Sequence, residues 1–237
     1  MSRAAAQAAE ANALVRNFGG RYSSELGIDL ANGDSQVERW FVASTLFGSR
    51  ISARVAERTF AELSRAGINR IVDAGTRDQS DLVALLDAGG YARYDFRTSA
   101  RLQALARVIT ERYGGEIGAI GRHFTAPRTL VAALDELPGW GPVTIGLFLR
   151  ELRGVWPGAS LPLDPRAAQA ARHLGLTTGL EHDELASITH VAERARCDAR
   201  DLETALVRLA LAHRRTTTCP GGDRCIVLLR RNPSPRA

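Results

Sequence analysis

The run Leu137-Pro138-Gly139-Trp140-Gly141 constrains this chain most, because it predicts a tight turn between two helices. Glycines one residue apart allow positive φ and leave the backbone uncovered by side chains. Pro142 follows directly, and proline suits the first helical position, where its missing N–H has no partner to lose. The sequence therefore predicts one helix over residues 128–136 and a second over residues 142–153, with Gly141 as the N-cap of the second.

The predicted turn has a chemical consequence. Free backbone N–H groups of a glycine-rich turn at a helix N-terminus form an anion site that suits a phosphate. The same five residues are also compatible with an ordinary pair of antiparallel helices that binds nothing. The turn alone therefore leaves both interpretations open.

Asp164 follows the second predicted helix and directly precedes Pro165 and a helix rich in arginine and alanine. An aspartate N-cap with proline at the first helical position is a common helix start. Such a cap stabilises a helix by about 1 kcal/mol and supplies no chemistry. Taken alone, Asp164 is either a structural cap or a functional carboxylate.

Together, the turn and the aspartate resemble the helix-hairpin-helix DNA glycosylases, the superfamily of endonuclease III, adenine glycosylase, 8-oxoguanine glycosylase and 3-methyladenine glycosylase II. The family pattern Leu-Pro-Gly-hydrophobic-Gly matches Leu137 to Gly141. The family aspartate follows a hydrophobic residue and precedes an arginine-containing helix that ends in Leu-Gly, which matches Leu163-Asp164 through Leu176. A looser likeness runs from Gln36 to Cys225.

Apolar residues recur at helical spacing from residue 36 onward, and no long strand alternation occurs, so the predicted fold class is all-α. The resemblance implies two helical lobes with a DNA-binding cleft between them and the helix-hairpin-helix at its rim. We place the first lobe, of six helices, at residues 36–153, ending in the helix-hairpin-helix at 128–153. The second lobe comprises residues 1–35 and 154–237 and carries Asp164.

The resemblance also implies how the hairpin contacts DNA. Its backbone grips a phosphate of the duplex, and its carbonyls hold a monovalent cation. The hairpin residues assigned to DNA binding on this basis are Pro138, Gly139, Trp140, Gly141, Val143 and Thr144.

Two further loops carry DNA contacts by the same resemblance. The loop after the first helix of the lobe supplies Ser49 or Arg50 to fill the hole that a flipped base leaves, and a simple helix junction is the alternative. Tyr91 follows two glycines and is the candidate wedge into the duplex, in competition with Arg93 and Tyr94. The alternative for the tyrosines is packing in the core.

Bifunctional members of the superfamily carry a lysine two residues past the second hairpin glycine, and its amine attacks the sugar C1′. Val143 occupies that position, and all 31 basic residues of the chain are arginine. The predicted activity is therefore monofunctional, with water as the nucleophile. Asp164 is the predicted catalytic residue, which stabilises the oxocarbenium ion or activates the water.

The three cysteines, Cys197, Cys219 and Cys225, fit a reducing compartment better than a disulfide scaffold. Endonuclease III closes its C-terminus with a four-cysteine iron–sulfur cluster. Only Cys219 and Cys225 fall in that region here, and two ligands do not hold such a cluster. Apart from the monovalent cation at the hairpin, we expect no cofactor and no iron–sulfur cluster, and we interpret the cysteines as free thiols. A zinc site from these cysteines and His213 is the alternative, although its spacing follows no standard pattern.

A net charge of +5 and a pI near 9.7 agree with a nucleic-acid partner. No apolar run reaches the ~18 residues that span a bilayer, and the N-terminus lacks the pattern of a secretory signal. We therefore expect a monomeric, cytoplasmic, nucleoid-associated protein without a membrane partner.

The predicted function is base-excision repair by a DNA glycosylase that acts on double-stranded DNA with a damaged or mismatched base. The first alternative is a non-catalytic helix-hairpin-helix protein that recognises DNA damage or DNA structure. The second is a helical protein-interaction domain that does not bind DNA.

Overall fold

The computed structural model describes residues 2–49, 51–91, 95–177, 184–213 and 219–231, and every regular element in these ranges is helical. The all-α prediction is therefore confirmed. The helices are α1 (Arg3–Phe18), α2 (Tyr22–Glu25), α3 (Asp34–Phe47), α4 (Ala53–Arg65), α5 (Ile71–Ala74), α6 (Gln79–Gly89), α7 (Asp95–Tyr113), α8 (Ile117–His123), α9 (Pro127–Asp135), α10 (Pro142–Glu151), α11 (Pro165–Leu174), α12 (Glu184–Ala195), α13 (Ala199–His213) and α14 (Ile226–Arg231). Short 3₁₀ turns occur at Pro157–Ala159 and Gly222–Arg224. None of the described helices has both the length and the apolar character to cross a membrane.

The chain forms two compact units. The inserted unit comprises Leu26–Leu161 and contains α3 to α10. The terminal unit comprises Met1–Glu25 and Pro162–Ala237 and contains the remaining helices. The predicted hairpin thus belongs to the inserted unit, and Asp164 belongs to the terminal unit.

Aromatic side chains form the core of the inserted unit around α3, which packs against α4, α5, α8 and α10. Phe41 of α3 stacks on Trp140 with ring centroids 4.3 Å apart and meets Phe148 of α10 edge-on at 5.7 Å. The indole of Trp40 donates a hydrogen bond to the Phe148 carbonyl at 3.2 Å. These contacts hold α10, and the turn that precedes it, against α3.

Small side chains dominate the core of the terminal unit. On α11, Ala167, Ala170, Ala171 and Leu174 follow the spacing i, i+3, i+4, i+7, and all four are buried. Helix α11 packs on α13, which also contacts α1 and α12. The alanines let these helices approach closely, so α11 and the residue that caps it are fixed on α13.

A buried carboxylate ties α3 to α8. Glu38 is 5% exposed, and its Oε1 accepts the N–H of Ile117 at the start of α8 at 2.7 Å. Burial raises the pKa of Glu38, although the Ile117 N–H and the charge of Arg70 act in the opposite direction. An acid whose native pKa is raised adds stability below its unfolded pKa and loses it as the pH rises through the native value.

We expect Glu38→Gln to remove this pH dependence, because the amide oxygen still accepts the Ile117 N–H but carries no charge. The free energy of unfolding of the wild type, measured by urea denaturation, falls relative to that of Glu38→Gln from acid to neutral pH. Glu38→Ala leaves the Ile117 N–H unsatisfied and costs about 1–3 kcal/mol. Parallel pH profiles for wild type and Glu38→Gln would contradict the assignment.

Candidate functional site

Helices α9 and α10 flank the turn at residues 136–141. The N–H of Leu137 donates to the Leu134 carbonyl at 3.1 Å, and the N–H of Trp140 donates to the Leu137 carbonyl at 3.0 Å. Gly139 has φ +74°, a left-handed conformation that L side chains rarely adopt, and it is exposed. The turn therefore presents bare backbone to solvent at the point where glycine is required.

The N-terminus of α10 is open. Its N-cap, Gly141, is extended at φ −138° and ψ −177° and supplies no side-chain cap. Within the described part of the chain, the N–H groups of Gly139, Gly141, Val143 and Thr144 donate to no backbone carbonyl. Val143 is 58% exposed. Unsatisfied donors at an exposed helix N-terminus form a site for an anion.

Trp140 anchors the turn from below. Its side chain is only 4% exposed, and its ring N–H donates to the Thr45 hydroxyl at 3.2 Å. That hydroxyl donates in turn to the Phe41 carbonyl at 2.9 Å. Because the indole is part of the core, only the backbone of Trp140, and not its ring, can contact a bound molecule.

Arg101 of α7 lies directly beneath the turn. A Cβ added at Gly139 would overlap the Cδ of Arg101. The Nη2 of Arg101 donates to the Ser49 hydroxyl at 2.9 Å and to the Thr45 carbonyl at 3.3 Å. Both partners are neutral, so they position the guanidinium without cancelling its charge. Sequence analysis missed Arg101, since no motif marks the position.

The loop that precedes α4 meets α10. A Cβ added at Gly48 would overlap the Thr144 side chain, so the backbone of the loop lies against the first turn of α10. Ser49, predicted to fill the hole of a flipped base, is half-buried and accepts the Arg101 hydrogen bond. Arg50, the alternative candidate for that role, lies outside the described residues. Arg101 thus contacts both Ser49 and the turn within the inserted unit.

The structure does not offer Tyr91 as a wedge. Its side chain is 1% exposed, and its hydroxyl contacts the Leu46 carbonyl at 3.4 Å, so the ring is a core residue. Arg93 and Tyr94, the competing candidates, lie outside the described residues. Phe96, in the first turn of α7, is instead 66% exposed, and sequence analysis gave it no role.

Asp164 caps α11 as its sequence context predicts. Its Oδ1 accepts the N–H of Arg166 at 2.8 Å, and its own N–H donates to Oε1 of Glu203 at 2.9 Å. Glu203, on α13, is 1% exposed, whereas Asp164 is partly exposed. The Arg166 N–H therefore orients the carboxylate, Glu203 fixes the backbone of Asp164, and the residue remains partly exposed. A cap and a chemical role are compatible in this geometry.

The terminal unit also collects four potential metal ligands. One ligand atom from each of His173, His213, Cys219 and Cys225 lies within 4.8 Å of all the others. This group differs from the zinc set considered from sequence, because it contains His173 and not Cys197. No sequence spacing connects His173 to the other three residues.

Neither the models of known protein families nor the curated proteins give a match to this chain. What the protein does is therefore inferred from its motifs and from the local geometry of each candidate site. The open turn of the inserted unit suits an anion, and the fixed carboxylate of the terminal unit suits stabilisation of a cation or of a water.

Proposed function

We propose that the protein is a monofunctional DNA glycosylase, which flips a damaged or mismatched base out of a duplex and hydrolyses its N-glycosidic bond. The observation that carries the proposal is the uncapped N-terminus of α10, with its unsatisfied N–H groups at Gly141 and Val143. The sequence pairs this turn with Asp164, in the order and spacing that resemble helix-hairpin-helix glycosylases.

The turn has the chemical groups of a phosphate-binding site. The N–H groups at the start of α10 lie at the positive end of the helix dipole, where Val143 is exposed. Arg101 adds a full positive charge beneath the same turn. Hydrogen bonds from backbone N–H groups and arginine to phosphate fix the register of a protein on DNA without reading sequence. This supports a role in holding the strand near the excised nucleotide.

Asp164 supplies the chemistry of the excision step in this proposal. As the bond between C1′ and the base nitrogen lengthens, positive charge develops on the sugar, and a carboxylate stabilises it or orients the attacking water. The chain contains no lysine, so no lysine amine can form a Schiff base with the sugar. The product is therefore an abasic site in an intact strand.

Base release from duplexes that each carry one lesion tests the proposal. The panel contains uracil, thymine opposite guanine, 8-oxoguanine, hypoxanthine and a methylated purine, each incubated with and without subsequent alkali. We expect that duplexes with one class of lesion are cleaved after alkali treatment and are not cleaved without it. Cleavage without alkali would contradict a monofunctional mechanism. Binding without release from any duplex would favour the non-catalytic recognition protein.

Arg101→Gln tests the phosphate grip separately from catalysis. Each neutralised phosphate contributes about −0.9 to the slope of log affinity against log salt concentration. We expect the variant to bind duplex DNA more weakly at low salt and to show a slope smaller in magnitude by about 0.9. Fluorescence anisotropy over a salt series measures both quantities.

Arg107→Gln is the matched control, since Arg107 is an exposed arginine of the same helix. Arg107→Gln lowers the net charge by the same amount as Arg101→Gln and leaves the turn intact. Equal slopes for Arg101→Gln and the wild type would contradict the contact. A wild-type affinity that does not change with salt would favour a protein without a DNA partner.

A further inference from the structure

We propose that His173, His213, Cys219 and Cys225 bind a structural Zn²⁺ ion in the terminal unit. The four residues come from separate parts of the sequence. His173 lies in the last turn of α11, His213 ends α13, and the cysteines flank the 3₁₀ turn that precedes α14. This site is independent of the proposed glycosylase activity.

The distances suit a tetrahedral ion. The four ligand atoms lie within 4.8 Å of one another, and His213 Nε2 lies 3.1 Å from Cys225 Sγ. Zinc bonds of about 2.0–2.3 Å place tetrahedral ligands about 3.3–3.8 Å apart. Closing around an ion therefore needs a contraction of about an ångström at the widest pair.

The donor set favours zinc. Two thiolates and two imidazoles make a closed tetrahedral site, which is the arrangement of structural zinc. The Nε2 of His173 is buried and has no hydrogen-bond partner among the described residues. The two imidazole rings also contact each other, with centroids 4.6 Å apart. A bound cation would pair with the unpartnered nitrogen. It would also explain why the two imidazole rings lie against each other.

The backbone around Cys219 is arranged for a thiolate. The N–H of Ile226 donates to the Cys219 sulfur at 3.3 Å. Cys225 is fully buried, so its sulfur faces the cluster and not solvent.

The loop between the cysteines is built closely against His173. Gly221 has φ +74°, and a Cβ added there would collide with the His173 carbonyl. Glycine therefore lets the loop approach the ligand on α11. A cavity of about 650 Å³, lined in part by Arg166, His173 and Cys219, opens beside the cluster and gives an ion a path of entry.

Zinc content and thermal stability of the untagged chain test the proposal. Purified under reducing conditions, the wild type is expected to carry about one zinc per chain by mass spectrometry of the metal. Cys225→Ser and His173→Ala are expected to reduce the zinc content at least about tenfold. A chelator is expected to lower the Tm of the wild type by about 5–10 °C, because the ion binds only the folded chain.

Cys197→Ser is the matched control, since Cys197 belongs to the same unit but not to the cluster. It keeps full zinc content. If the ligand variants do not fold, the absorption spectrum of the metal-free wild type after addition of cobalt(II) tests whether the cluster binds a metal. The expected spectrum combines the visible bands of a tetrahedral ion with a thiolate charge-transfer band.

Four outcomes would overturn the proposal. The first is a reduced wild type that binds neither zinc nor cobalt(II). The second is iron with inorganic sulfide in place of zinc. The third is equal zinc loss in Cys197→Ser, which would place the ion elsewhere. A Cys219–Cys225 disulfide that matches the stability of the zinc-treated chain would also contradict a structural role for the ion.

Discussion

Asp164→Asn is expected to lower the single-turnover rate of base release at least about 10²-fold and to leave duplex binding intact. Asparagine caps a helix as well as aspartate does, so the bond that Oδ1 accepts from the Arg166 N–H is kept. The variant loses only the negative charge that stabilises the developing cation or orients the water. The rate is measured under single-turnover conditions with the best substrate of the lesion panel, and affinity is measured by anisotropy.

Asp29→Asn is the control for this variant. Asp29 also accepts the N–H of the residue two positions later, at 3.1 Å from Ala31, but it belongs to the inserted unit and to no motif. It changes the charge and conserves the local turn in the same way. We expect wild-type rates from Asp29→Asn. A fully active Asp164→Asn would remove the carboxylate from the mechanism and leave it as a cap.

Gly141→Ala is expected to weaken DNA binding about tenfold or more, which corresponds to ~1.4 kcal/mol, without a change in Tm. A Cβ at Gly141 meets no atom within 4 Å, and the φ of −138° suits any residue, so the fold tolerates alanine. The methyl group instead covers the N–H groups that face a phosphate. Affinity for a lesion duplex and thermal unfolding are measured on the same preparation.

Alanine substitutions at two other glycines distinguish an effect on DNA affinity from an effect on the free energy of unfolding. Gly139→Ala places a side chain at φ +74° and against Arg101, so it lowers the free energy of unfolding by about 1–2 kcal/mol as well as the affinity. Gly146→Ala, in the middle of α10, stabilises the helix by about 0.5–1 kcal/mol and leaves affinity unchanged. Wild-type affinity in Gly141→Ala would show that no phosphate approaches the start of α10.

The features that follow from short-range chemistry were predictable from sequence. The start of α10 at Pro142 and the cap of α11 by Asp164 both depend on residues within one helical turn. The absence of strand alternation likewise indicated the all-helical fold, because helical periodicity is a property of neighbouring residues. The glycosylase function remains a prediction, and the experiments above decide it.

Other features depend on contacts between residues that are far apart in sequence. Tyr91 follows two glycines and has the pattern of an exposed loop residue, yet its ring packs in the core. Arg101 is one arginine among many in the sequence, and only the fold places it beneath Gly139. His173 likewise joins His213 through the packing of α11 on α13.

The sequence by itself determined the helical fold class, the starts of α10 and α11 and the glycine turn, because backbone preferences and capping bonds act over about four residues. The tertiary structure alone decided which side chains meet. It placed Arg101 beneath Gly139, buried Tyr91 and gathered the His/Cys cluster. Those choices depend on which helix faces fit together, and packing complementarity between distant segments is not encoded in any local pattern.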